Sequence, residues 1–108
     1  GAQQIQQMMA EAREHLPRQI GDAKVLAVRD YKTDVRYDMT DGSKCATGLP
    51  TSNVLYYELE DHSWCCVRPS GTEPKIKFYF GVKGTSLSDA NAKLEELQKA
   101  MMALFEQK

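Results

Sequence analysis

Apolar positions recur at two periods along this chain, and the switches between them divide it into elements. Ile5, Met8, Met9, Ala12 and Leu16 stand three, four and more residues apart, the stripe of an amphipathic helix over residues 3–16, and Pro17 ends it. Residues 23–31 hold the run Val25, Leu26, Ala27, Val28 after Gly21, which predicts a buried strand. Over residues 32–53 the pattern dissolves around Asp41-Gly42, Gly48 and Pro50, a loop with at most one short hairpin centred on Asp41-Gly42. Alternation returns in residues 54–60 and 62–68. Leu55, Tyr57 and Leu59 share one side of the first strand, Trp64, Cys66 and Arg68 one side of the second, and Glu60-Asp61-His62 forms the turn. Histidine tolerates the left-handed backbone region better than most residues, which suits His62 to that turn.

Residues 75–82 alternate again, with Ile76, Phe78, Phe80 and Val82 on one face and Lys75, Lys77 and Tyr79 on the other. A second helix follows over residues 87–106, where Leu87, Ala90, Leu94, Leu97, Met101 and Leu104 repeat at steps of three and four. Ser86 and Asp89 approximate a capping box at its start. The heptad-like stripe is too short for a coiled coil, so it belongs against a sheet. The expected fold is therefore α+β, a four-stranded mainly antiparallel sheet with both helices on one face.

Length and charge narrow the functions open to such a fold. The 108 residues form one domain, residues 3–108, and the opening Gly1-Ala2 reads as an expression scar. Fourteen basic against fifteen acidic residues leave a net charge of −1, which gives no field for a nucleic-acid backbone. Stacking of bases on Tyr56, Trp64 and Tyr79 is set aside on that ground. No apolar run is long enough to span a bilayer and no signal-peptide pattern opens the chain, so neither a nucleic acid nor a membrane is an expected partner and the location is cytoplasmic. The three cysteines, Cys45 and the adjacent Cys65 and Cys66, read as reduced thiols, and no spacing supplies a metal ligand set. Asp34, Asp38 and Asp41 lack the pattern of a calcium loop, and His15 and His62 read as surface residues.

One segment carries chemistry. Arg68-Pro69-Ser70-Gly71-Thr72-Glu73-Pro74 joins two strands and concentrates a guanidinium, two hydroxyls and a glycine backbone between prolines. Arginine offers paired donors that match two phosphate oxygens, Gly71 leaves the main-chain N–H groups approachable, and Ser70 and Thr72 add rotatable donors. An ordinary turn uses many of the same residue types, and Arg68 with Lys77 would also suit a surface ion-pair set.

The whole string, continued by Lys75-Ile76-Lys77-Phe78-Tyr79, closely resembles the phosphate-binding loop of the α-D-phosphohexomutases. Thr47-Gly48-Leu49-Pro50, Ser52-Asn53-Val54-Leu55 and Ser63-Trp64 are similar to the bacterial phosphoglucomutase branch, and the likeness is densest over residues 47–82. The resemblance implies a C-terminal domain with TATA-binding-protein-like topology. It also implies an enzyme that moves a phosphoryl group between the C1 and C6 oxygens of a hexose through a bisphosphate. In that family a phosphoserine, a magnesium loop and a sugar-reading loop lie on three other domains; this chain has no Asp-Gly-Asp triplet and no serine in a Ser-His-Asn context, so catalysis by the fragment alone is not expected.

By resemblance, Arg68 makes the paired contact to the non-reacting phosphate, Ser70, Gly71 and Thr72 complete the cradle, and Lys77 reaches in from the next strand. Glu73 ties down the loop or pairs with Lys75 or Lys77. The implied partners are a hexose phosphate and the other domains of the parent chain. Mg2+ and hexose 1,6-bisphosphate are expected for the full-length enzyme and no cofactor for this domain. Flanking resemblance alone favours glucose over mannose. A function of another class, a stand-alone domain that captures a phosphoprotein or another anion, fits the same loop.

Overall fold

The computed structural model describes residues 2–105 and contains helix α1 (Ala2–Glu14), seven strands and helix α2 (Leu87–Leu104). The strands are β1 (Gln19–Ile20), β2 (Ala23–Asp30), β3 (Val35–Asp38), β4 (Lys44–Ala46), β5 (Leu55–Leu59), β6 (Trp64–Pro69) and β7 (Ile76–Gly81). The α+β class holds, but the expected four strands become seven among the described residues. β3 and β4 form the short hairpin expected around Asp41-Gly42, with Gly42 at φ of 80°, inside a segment otherwise read as loop, and the two-residue β1 pairs with the start of β2. Of the other expectations, Gly1 and Glu106 lie outside the described residues.

Every pairing is antiparallel, and the sheet runs β4-β3-β2-β5-β6-β7. Leu55, Tyr57 and Leu59 of β5 and Cys65 and Val67 of β6 point to one face, where they meet Met9 of α1 and Leu97, Met101 and Phe105 at α2 in one buried cluster. Burying such a side chain stabilises the fold by about 1.5–3 kcal/mol relative to leaving it in water. A bulge between Val25 and Ala27 shifts the β2 register, so Val25 and Val28 face this core opposite Leu59 and Tyr57 while Ala27 stands opposite Glu58 on the other face. α1 is pinned by charge as well. Arg13 Nε donates to both oxygens of the buried Asp30, at 3.1 and 3.2 Å, and Arg13 Nη2 donates to Asn53 Oδ1.

α2 begins as its sequence foretells, with Ser86 Oγ accepting from the Asp89 N–H at 3.1 Å. The return half of a capping box is displaced by one residue, because Asp89 Oδ2 accepts from the Thr85 N–H. The ends of its stripe face water: Leu87 is 80% and Leu104 47% exposed, and Phe105 closes the core at that end. The Glu60–His62 turn takes positive φ at both Asp61 and His62, 61° and 60°, and is closed by the Ser63 N–H donating to the Glu60 carbonyl oxygen at 3.3 Å. Cys45, Cys65 and Cys66 are free thiols.

Candidate functional site

With one face covered by helices, the opposite face of the sheet stays open, and the alternation of β6 and β7 delivers Trp64, Cys66, Arg68, Lys77 and Tyr79 to it. Arg68 and Lys77 are directly opposed across the two strands, and Pro69 opposite Ile76 is the last pair before the chain leaves the sheet. Both cations are exposed. Among the described residues neither forms an ion pair with a carboxylate, which removes the reading of the two as part of a surface ion-pair set. Like charges directly opposed across strands are destabilising, so this pair adds nothing to the fold.

Residues 70–75 close the connection. The Ser70 N–H donates to the Lys75 carbonyl oxygen at 2.8 Å, and the Lys75 N–H to the Glu73 carbonyl oxygen at 2.8 Å. Ser70 Oγ accepts from the N–H groups of both Thr72 and Glu73 at 3.3 Å, and Thr72 Oγ1 lies 3.5 Å from it. Two main-chain donors are therefore satisfied by one side-chain oxygen, a serine turn that fixes the shape of the loop. The Ser70 hydroxyl serves here as an acceptor from the two amides, and either it or Thr72 Oγ1 can donate to the other. Gly71 has ordinary negative-side backbone geometry, and a Cβ built on it would meet nothing within 4 Å; what glycine provides is clearance. Glu73 pairs with Lys75 at 3.5 Å, one of the two partners read from the sequence.

The structure thus brings Arg68, Lys77, Ser70, Gly71 and Thr72 to one end of one hairpin, on the surface. It also reveals neighbours that sequence patterning missed. Arg68 Cζ lies 5.7 Å from the centroid of the Tyr79 ring. Farther along the same face Trp64 stacks on Tyr56 at 5.3 Å, and Arg29 Cζ sits 4.8 Å from the Tyr56 ring. With these faces taken up by one another, Tyr56 and Trp64 are poor platforms for nucleic-acid bases. Trp64 lies so close over Gly81, its cross-strand partner, that a Cβ there would fall 2.2 Å from the indole Nε1.

Beyond the stack, Glu58 accepts from Arg29 Nε at 2.8 Å and from Arg36 Nε and Nη2 at 2.8 and 3.0 Å. Arg36 chiefly, and Arg29 with it, hold the Glu58 carboxyl below the usual carboxylate range. The period-two pattern of β5 held the signal for this cluster, since Tyr56 and Glu58 sit on its non-core side. A depression of about 460 Å3 lies between the stack and the Glu60–His62 turn, away from the Arg68 loop. Among the described residues no group of three or more His, Cys, Asp or Glu side chains is arranged to hold a metal ion. No described helix is long and apolar enough to cross a membrane.

Comparison with known proteins places the sequence in a family. The profile described as "Phosphoglucomutase/phosphomannomutase, C-terminal domain" matches residues 5–104. A phosphoglucomutase of Staphylococcus haemolyticus (strain JCSC1435) is 40% identical over 82 residues, covering 76% of this chain and 15% of the relative. A phosphoglucomutase of Staphylococcus aureus (strain MSSA476) is 34% identical over 97 residues, covering 90% of this chain and 17% of the relative. The chain therefore spans about a sixth of the length of these curated relatives. No solved structure matches it significantly. With all but its first four and last four residues matched, the chain belongs to the phosphoglucomutase/phosphomannomutase C-terminal domain family.

Proposed function

We propose that the Arg68–Lys77 hairpin end binds the non-reacting phosphate of a hexose phosphate, within a cytoplasmic enzyme that interconverts hexose 1-phosphate and hexose 6-phosphate through a bisphosphate. The observation that carries this reading is the opposed pair Arg68 and Lys77, two exposed cations without an acidic partner among the described residues, set beside a loop held in shape by Ser70 Oγ. A phosphate dianion relieves the repulsion between the cations. Its oxygens take the guanidinium edge of Arg68 in a paired contact, with the Lys77 ammonium as a point charge beside them. Ser70 and Thr72 supply hydroxyl donors, and the clear space over Gly71 admits the ligand.

This grip positions the substrate. A hexose bisphosphate carries the same PO3 group at both ends, so a site that reads the phosphate and not the sugar accepts either orientation, and holding the remote end aligns the reacting end. Mg2+, which neutralises developing charge on a transferring phosphoryl group, belongs in this scheme to other domains of the parent chain, as does the nucleophile. The fragment alone is then a binding domain without turnover. The family resemblance also carries a TATA-binding-protein-like topology, and we assign it no DNA-binding role, because fold and function separate readily.

The test is Arg68→Ala in the complete enzyme. Loss of two charge-assisted bonds, each worth about 1.5–3 kcal/mol, lowers kcat/KM for the hexose phosphate by about a hundredfold or more. Turnover equal to that of the unmutated enzyme refutes the assignment.

A further inference from the structure

We propose that Tyr79 is a positioning residue for Arg68, its ring holding the guanidinium over the open sheet face with the N–H donors uncommitted. The proposal rests on the phosphate-binding reading of this hairpin end and adds the means by which its arginine is preset. Arg68 stands opposite Lys77 and Tyr79 stands opposite Cys66, so the two side chains meet on the diagonal of one face, within reach of long and aromatic groups. The Arg68 Cζ to Tyr79 centroid distance of 5.7 Å falls inside the limit of about 6 Å for cation–π attraction. Tyr79 is 41% exposed and makes no described hydrogen bond through its hydroxyl, so its ring is what the neighbourhood uses.

The kind of partner matters. Arg29 and Arg36 on the same face give their N–H donors to Glu58, and guanidinium groups held that way have fewer donors left for a ligand. An aromatic ring attracts the cation through its π face and takes none of the in-plane donors, so the fork that matches two phosphate oxygens stays available. A long arginine side chain also loses rotamer freedom when it binds, and resting on a ring removes part of that freedom beforehand. The opposed Lys77 repels Arg68, so without the ring nothing described holds the guanidinium in place.

The experiment titrates inorganic phosphate into the 108-residue chain, followed by the amide signals of residues 70–77 and the Arg68 Nε–Hε signal. Wild type, Tyr79→Phe, Tyr79→Leu and Arg68→Ala are compared. Tyr79→Leu should weaken binding about two- to fivefold, the loss of an exposed cation–π contact, with a more mobile Arg68 Nε–Hε group in the free state. Tyr79→Phe, which keeps the ring, should bind as the wild type does. Tyr79→Thr, a strand-favouring residue without a ring, makes the same comparison if the leucine variant loses its amide dispersion. Wild-type affinity in the ringless variants, with binding abolished in Arg68→Ala, overturns this inference alone; so does a phenylalanine variant as weak as the leucine one. Phosphate binding unchanged in Arg68→Ala, or absent from the wild type, overturns the phosphate reading together with it.

Discussion

Gly81→Ala is the smallest change that probes the open face on which the candidate site stands. The added methyl group would sit 2.2 Å from Trp64 Nε1, 2.4 Å from Cε2 and 2.9 Å from Cζ2, so the indole has to move. A rigid ring stacked at 5.3 Å on Tyr56 cannot give way like the end of a flexible chain. Overpacking of this kind costs about 1–3 kcal/mol, and loss of the aromatic pair adds about 0.5–1.5 kcal/mol. At about 4–8 °C per kcal/mol for a domain near this size, Tm should fall by at least about 6 °C. Trp64 is the only tryptophan, so its fluorescence reports the displacement directly. A second background sharpens the test. With Trp64→Ala in place the methyl group meets no ring, and replacing a strand glycine should be neutral or stabilising by about 0.5–1 kcal/mol. A Gly81→Ala variant that melts within a degree or two of wild type, or one that costs the same in both backgrounds, rules out a clash with the indole.

Two further predictions concern stability. The Tyr57 hydroxyl is buried with no hydrogen-bond partner among the described residues, and burial pushes its pKa well up, so Tyr57→Phe should leave stability unchanged or raise it by about 1 kcal/mol in denaturant titration; a loss of that size would contradict the orphaned hydroxyl. Asp34, Asp38 and Glu58 are held below their ordinary values of 3.8, 3.8 and 4.5, chiefly by hydrogen bonds from Thr47, Thr40 and Arg36. Folded-state values depressed in this way mean stability present above the unfolded values and lost as pH falls through the folded ones, so denaturant midpoints should drop from about pH 4.5 downward. Glu96 acts in the opposite sense, raised by its hydrogen bond with Asp22, and offsets part of the loss. A midpoint at pH 3 equal to that at pH 7 would contradict this balance.

How much of this was legible in the sequence depends on what holds each element. The β5–β6 hairpin and β7 were readable because burial imposes a period of two on Leu55, Tyr57 and Leu59 and on Ile76, Phe78 and Phe80. β3 and β4 were legible only through their turn, as a short hairpin centred on Asp41-Gly42 without strand bounds, since one is evenly half-buried and the other exposed along its length; register with β2 holds them, and pairing leaves no hydrophobic signature. The Val25–Val28 run hid a bulge because an apolar run reads the same with or without one. At the site, residue types pointed to the loop, and resemblance assigned its roles. That Arg68 faces Lys77 with no carboxylate partner among the described residues, that Tyr79 lies beside it and that Ser70 accepts from two amides are facts of register and turn geometry, and spacing alone does not contain them.

The most direct measurement is a titration of the 15N-labelled chain with glucose 6-phosphate, read residue by residue. Affinity should be about millimolar or weaker, since a single charged cradle has to offset the cost of association. The largest shifts should fall on residues 68–77 and vanish in Arg68→Ala. Saturable shifts centred elsewhere on the chain, with residues 68–77 unmoved, would contradict it.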